Sequence, residues 1–168
     1  MAVEFAEDIS KIQDGDFLTA FEYEPSLHID GCKFGNNRGR GVLAQTSGNV
    51  LIENCEFYPS SCSISISGCS KTYMEGTPLQ NMTLRKNVFD STSYPFNKLI
   101  AVAEYVTSDK IIYGKITVEE NTFKVLSDNV IAELKLFDNV SFKNNIVEGC
   151  ENNADLYKIS QCTNVSVK

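Results

Sequence analysis

One short phrase recurs along the chain: apolar, any, apolar, charged, any, Asn or Cys, any, Phe. It first reads Leu27-His28-Ile29-Asp30-Gly31-Cys32-Lys33-Phe34 and returns as Val50-Leu51-Ile52-Glu53-Asn54-Cys55-Glu56-Phe57. Met82 to Phe89 and Ile116 to Phe123 repeat it, Val140 to Val147 carries a decayed copy, and another begins at Val165. The Cys/Asn column falls at 32, 55, 87, 121 and 145, so the period ranges from 23 to 34 residues. A repeat of that length means a solenoid, a propeller or an array, because each unit buries its apolar face only against its neighbours.

The texture of the phrase selects among these. Period-2 alternation in short segments rich in Val, Ile, Thr and Phe reads as strand. No long stretch has a 3.6-residue period, and Leu does not recur at the fixed offsets of a leucine-rich repeat. Each unit also holds a second apolar segment: 42–46, 63–67, 99–105, 130–136 and 156–160. Two or three short strands per turn make one coil, and crossovers between parallel strands are nearly always right-handed. The sequence therefore predicts an all-β, right-handed, single-stranded parallel β-helix of about five to six coils. Residues 1–26 are expected to form an irregular capping segment and 27–168 the β-helix. The phrase breaks off at Lys168, which reads either as the end of a tapering helix or as a cut from a longer chain.

The columns acquire physical meaning once coils stack about 4.8 Å apart. Phe34, Phe57, Phe89 and Phe123 should form an internal stack of rings. Cys32, Cys55, Asn87, Asn121 and Asn145 sit at a bend, where Asn passes hydrogen bonds along the stack and Cys serves as a small buried residue. Cys32 and Cys55 become neighbours, close enough for a disulfide, although packed free thiols are the expectation for a chain with this much core. Asp30, Glu53, Arg85, Glu119 and Lys143 form an outward column in which signs alternate after the first pair, a solvated ion ladder. His28, the sole histidine, faces outward with no triad partner.

Charge and composition narrow the partners. The chain of 168 residues carries a formal charge of −7. That disfavours nucleic acid, anionic membranes and polyanionic sugars as default partners. With one His and no C-x-x-C pair, no metal site is expected, and no cofactor motif is present.

Coils two and three are longer than the others. Their excess lies around 68–78, 91–98 and 105–114, and insertions in stacked repeats commonly build one binding face. They hold Tyr73, Glu75, Tyr94, Phe96, Tyr105, Asp109 and Tyr113. Rings stack on apolar sugar faces and carboxylates accept hydroxyl hydrogen bonds, so these loops suit a saccharide. Equally, surface loops pack their own aromatics. The turn Asn36-Asn37-Arg38-Gly39-Arg40-Gly41 needs its Gly and Asn for positive φ, but not its two arginines. Arg38 and Arg40 suit vicinal hydroxyls or carboxylates, or ion pairing with Asp30 or Glu53.

The stretch Gly35-Asn36-Asn37-Arg38-Gly39-Arg40-Gly41-Val42-Leu43, then Val50 to Phe57, then Ile64-Ser65-Ile66-Ser67-Gly68, resembles glycoside hydrolase family 110. That family comprises β-helical exo-α-1,3-galactosidases acting on terminal α-galactose. The likeness covers roughly residues 12 to 125, with Asp14-Gly15-Asp16 as a Gly-Asp element ahead of the quoted motif and Gly68, Tyr73, Glu75 and Gly76 loosely matching a later element. Cys69 and Tyr73 stand where the family has Asp and Trp, and no Asp-Asp pair occurs in this chain. The resemblance implies a carbohydrate-active segment whose main catalytic carboxylates lie upstream. Within the chain it implies Glu75 as the candidate catalytic residue, and Arg38, Arg40, Tyr73 and Glu75 as substrate-binding residues for a galactose-containing glycan, to which the insertion reading adds Tyr105. By the same analogy the protein is extracellular or periplasmic. A non-catalytic glycan-binding or structural β-helix remains an alternative. So does a pectate-lyase-like enzyme built around Asp30, Glu53 and Arg85, which would want calcium to bridge a polyanion.

Overall fold

A computed structural model of the protein describes residues 4–6, 8–13, 23–35, 37–58, 61–68, 76–93 and 97–168. Coil one consists of β1 (Leu27–Asp30), β2 (Lys33–Phe34) and β3 (Arg40–Ala44). Coil two repeats the course as β4 (Asn49–Glu53), β5 (Glu56–Phe57) and β6 (Cys62–Ile66). Coil three has β7 (Asn81–Arg85), β8 (Val88–Asp90) and β9 (Lys98–Val102), and coil four β10 (Tyr113–Glu119), β11 (Thr122–Lys124) and β12 (Val130–Lys135). Coil five has β13 (Phe137–Lys143), β14 (Ile146–Glu148) and β15 (Tyr157–Ser160), and β16 (Val165–Val167) starts another. Every third strand is hydrogen-bonded, giving three parallel sheets: β1-β4-β7-β10-β13-β16 (sheet A), β2-β5-β8-β11-β14 (sheet B) and β3-β6-β9-β12-β15 (sheet C). This is the right-handed parallel β-helix read from the repeat, with three strands per coil.

Sheet A shows why the phrase folds this way. In β4 and β7, Val50, Ile52, Met82 and Leu84 are buried, whereas Leu51 and Thr83 between them are half-exposed. Alternation with period 2 puts one set on the inner face of the pleat. Parallel pairing without slippage stacks each inner residue on its equivalent, as in Val50↔Met82 and Ile52↔Leu84. Each such side chain, fully removed from water, contributes about 1.5–3 kcal/mol.

At the bend into sheet B the phenylalanines stack as expected. Ring centroids are 5.0 Å apart for Phe34 and Phe57, 4.8 Å for Phe57 and Phe89, and 5.0 Å for Phe89 and Phe123, with interplanar angles of 9–14°. One residue of the same turn in each coil adopts positive φ: Gly31, Asn54, Lys86, Glu120 and Asn144. The left-handed region costs an L-residue roughly 1–2 kcal/mol. The ladder offsets this by running unbroken through the turn. Asn54 N–H donates to Arg85 O at 3.3 Å and Lys86 N–H to Glu119 O at 3.2 Å. Beyond the turn, Val88 N–H donates to Cys55 O at 2.8 Å and Thr122 N–H to Asn87 O at 2.9 Å.

Asn87, Asn121 and Asn145 fill the turn as the sequence predicts. Each Oδ1 accepts the backbone N–H of the equivalent residue one coil before it, at 2.9–3.0 Å. Each Nδ2 donates to a carbonyl, of Ile52, Leu84 and Val118 respectively. Cys55 continues the column with sulfur as the acceptor: Cys32 N–H lies 3.4 Å from Cys55 Sγ. Cys55 is buried but Cys32 is exposed on the first coil, a departure from its expected place in the core. Both are free, as are Cys62, Cys150 and Cys162.

The outward charges also form the expected ladder. Arg85 Nε lies 2.7 Å from Glu53 Oε2 and Lys143 Nζ lies 2.8 Å from Glu119 Oε2. Ahead of β1, Glu24 and Pro25 pack on the end of coil one, where the Thr46 hydroxyl donates to Pro25 O at 2.8 Å.

Candidate functional site

Sheet C positions the groove that the two sequence-predicted residues Arg40 and Tyr105 share. Its register aligns Arg40 with Cys62 and Cys62 with Lys98, on β3, β6 and β9. Between them the coils differ in length, so residues 22 and 36 positions apart in the chain become neighbours. The outer face here opens a groove of about 410 Å³, lined among others by Arg40, Cys62, Ser65, Lys98, Glu104 and Tyr105. That volume falls in the range of about 300–1,000 Å³ typical of small-molecule sites. A second hollow of about 430 Å³ continues it toward coil five, past Glu133, Lys135 and Lys158.

A turn beyond β9 supplies one wall. Val106 N–H donates to Ala103 O at 3.0 Å, which closes the chain and presents Glu104 and Tyr105. Lys135 reaches across from coil four to donate to Glu104 O at 3.2 Å. Lys98 lies at the centre. Its Nζ is 2.9 Å from Glu104 Oε1 and 3.1 Å from Glu133 Oε1. The Lys98 ammonium holds the Glu104 carboxyl below its usual value, and Glu104 and Glu133 in turn raise that of Lys98. Burial pushes the Cys62 thiol up to about 11, so the sulfur between the two cations is neutral.

This arrangement bears on chemistry. Two carboxylate oxygens contacting one ammonium lie no more than about 6 Å apart, short of the roughly 6.5–9.5 Å that an inverting glycosidase needs for water. An ionised Glu104 locked to Lys98 is also a poor proton donor near neutrality. The contacts of Lys98 and Lys135 tie the turn at Glu104 to coils three and four. Among the described residues the cluster is not an acid–base pair.

The remaining predicted site residues fall as follows. Arg38 is exposed in the turn before β3 and does not line the groove. Tyr73 and Glu75 lie outside the described residues, but the base of their loop is defined. Gly68 and Gly76 both have positive φ, at 115° and 60°. A Cβ at Gly68 would collide with Thr77 backbone, and one at Gly76 would lie 2.5 Å from Gln45 O. The insertion thus leaves and rejoins coil two at a pinch beside the end of β3. The coil-three turn leaves from the adjacent end of β9, where Ala103 N–H donates to Ile66 O at 2.9 Å. The described ends of the two insertions thus lie on adjacent coils.

Lys98, Glu104 and Glu133 were missed by the sequence reading. Glu133 is simply the outward member of an alternating strand, and Lys98 follows an insertion of arbitrary length.

Sheet A carries a different cluster. Ligand atoms of His28, Asp30 and Glu53 lie within 4.8 Å of one another. Glu53 is engaged at both oxygens, by His28 at 2.8 Å and Arg85 at 2.7 Å, and Asp30 accepts from Asn54 Nδ2 at 2.8 Å. These partners are not Arg38 or Arg40. Arg85 Nε pairs with Glu53, which raises the guanidinium further above its ordinary value and works against the proton-abstracting base that the pectate-lyase-like reading requires.

Comparison with known proteins agrees with the architecture. The family described as "Right handed beta helix region" matches residues 18–168, and the chain belongs to it. The chain is 27% identical to Alpha-1,3-galactosidase A of Shewanella woodyi over 155 residues, which cover 85% of this chain and 24% of that protein. It is 28% identical to Alpha-1,3-galactosidase A of Peterkaempfera griseoplana over 136 residues, 80% of this chain and 19% of the relative. It is 33% identical to Alpha-1,3-galactosidase B of Bacteroides thetaiotaomicron over 89 residues, 53% of this chain and 14% of the relative. The chain thus spans a quarter or less of these relatives' length. It is a β-helix domain with distant homology to α-1,3-galactosidases, which supports a carbohydrate-active role.

Proposed function

We propose that this chain is the saccharide-binding part of an α-galactosidase-like glycoside hydrolase acting on terminal α-galactosides. In this reading the groove on sheet C holds the glycan, and an acid and a base on coils upstream carry out hydrolysis. The observation that carries it is the meeting of Arg40 from coil one with Tyr105 from coil three across one groove, in a chain homologous to α-1,3-galactosidases. Tyr105 offers a ring face for a pyranose. Arg40 offers a planar donor fork for vicinal hydroxyls. Glu75, at the neighbouring insertion, would complete the site. The same reading places the protein in an extracellular or periplasmic setting.

The tie of Glu104 and Glu133 to one ammonium, too close together for an inverting pair, favours binding over catalysis at this groove. The test pairs two measurements. Titration of the 168-residue chain with an α-1,3-galactosyl disaccharide, followed by NMR or calorimetry, should show saturable binding that Tyr105→Ala weakens about tenfold or more. Hydrolysis of p-nitrophenyl α-galactoside should be absent in this chain and present in a longer parent, where Glu75→Gln should lower it. No saccharide binding, or binding indifferent to Tyr105, would overturn the proposal.

A further inference from the structure

The charge of the groove is opposite to that of the chain. The residues lining its two hollows include four cations, Arg40, Lys98, Lys135 and Lys158, against two carboxylates, Glu104 and Glu133. Among the described residues the local excess is two positive charges, in a protein of net charge −7. Screening over about 8 Å at physiological salt confines the influence of remote carboxylates, so a ligand seated in the groove meets the local field.

The cations are not equally engaged. Lys98 has three N–H donors, and two face Glu104 and Glu133, which leaves one. The Arg40 guanidinium is exposed and has no hydrogen bond or ion pair to any described residue. Its backbone, by contrast, is fixed: Arg40 O accepts from Asn37 Nδ2 at 3.2 Å, and β3 pairs with β6. Arg40 and Lys98 stand two strands apart, about 9–10 Å at the backbone, on either side of Cys62. The Cys62 thiol is neutral and puts no competing anion between them. An exposed guanidinium fork and an ammonium with one donor left, both lining one groove, suit an oxyanion, because charge-assisted bonds to carboxylate or sulfate are about twice as strong as bonds to neutral hydroxyls.

We propose that the sheet C groove selects a saccharide bearing an anionic substituent, a carboxylate or a sulfate ester, held between Arg40 and Lys98. The proposal rests on the reading of this groove as a saccharide site and specifies its ligand. The overall acidity disfavours long polyanions. A single anionic group on an otherwise neutral glycan fits both the local excess and the global repulsion.

The test uses three probes on the 168-residue chain: an α-1,3-galactosyl disaccharide, a galacturonic acid disaccharide and galactose 6-sulfate. At least one anionic probe should bind about tenfold or more tightly than the neutral one. The advantage should shrink several-fold between 20 mM and 300 mM salt, and Arg40→Ala should abolish it while Arg40→Lys keeps part. Whichever of the carboxylate and sulfate probes binds more tightly identifies the oxyanion. Should Arg40→Ala lose its fold by circular dichroism, Lys98→Met and the salt series on the unaltered chain carry the same test. Equal binding of neutral and anionic probes would overturn this proposal and leave the saccharide site standing. Binding of none of the three would overturn both.

Discussion

Asn121 Oδ1 accepts twice from Asn87, once from the backbone N–H at 2.9 Å and once from the side-chain amide at 3.0 Å. One oxygen thus satisfies two donors of the neighbouring coil, while the Asn121 amide donates onward to Leu84 O and Asn145 Oδ1. Both residues are almost fully buried, at 0% and 1% exposure, so water cannot take over.

Replacing Asn121 by Leu therefore leaves buried donors and an acceptor unpaired on two coils. Each unpaired group costs about 1–3 kcal/mol. Asn121→Leu should be among the most destabilising single substitutions in the chain, read as a large drop in urea midpoint. Asn87→Cys should cost less than Asn87→Leu, because sulfur already accepts at Cys55. Equal losses for Cys and Leu would show that Asn acts only by volume.

The phenylalanine column gives a graded prediction. Phe89 is fully buried with a ring on each side, whereas Phe34 is half-buried with one stacked neighbour. Phe89→Ala should destabilise by about 3–5 kcal/mol and Phe34→Ala by clearly less. Denaturant titration of the two variants side by side checks the order.

The Glu53 carboxyl is held below its ordinary value of 4.5, first by the Arg85 guanidinium and then by His28. A carboxyl lowered in the folded state adds stability that is fully present above the unfolded value. That stability is lost as pH falls through the folded one. The gap in urea midpoint between the parent chain and Arg85→Met should be wide at pH 6 and narrow steadily below about pH 4.5. A gap independent of pH would mean that Arg85 contributes only packing.

Two glycines should respond oppositely to alanine. At Gly114 an added methyl would collide with the Gln80 backbone, which belongs to the neighbouring coil. At Gly39 nothing lies within 4 Å, and neither Gly39 nor Gly41 has the positive φ that the turn was expected to need. Gly114→Ala should lower the melting temperature markedly. Gly39→Ala should leave it unchanged or raise it, since reduced freedom in the unfolded chain is worth about 0.4–1 kcal/mol.

Most of the scaffold was legible because its residues do one job per column. Inner Val, Ile, Leu and Phe alternate with polar neighbours, and a parallel stack without slippage preserves that spacing in every coil. The positive-φ column was not legible as a column. Gly31 and Asn54 suit the conformation, but Lys86 and Glu120 adopt it only because the ladder on either side fixes their backbone. The groove was legible in part for a similar reason. Arg40 sits in a turn that has no need of it, and Tyr105 lies on an insertion. Lys98 and Glu133 come together only through the register of β9 with β12, where Ala101 pairs with Glu133. The unequal insertions hide that register from any counting along the chain.

The pinch at Gly68 and Gly76 separates two kinds of change. Gly68 lies against the Thr77 backbone and Gly76 against Gln45, so the coil fixes both flanks of the insertion and its length is uncoupled from the spacing of the coils. A segment anchored this way can be exchanged for one of different chemistry without moving Phe57 or Phe89. Sequence change between those two glycines then carries little risk to folding.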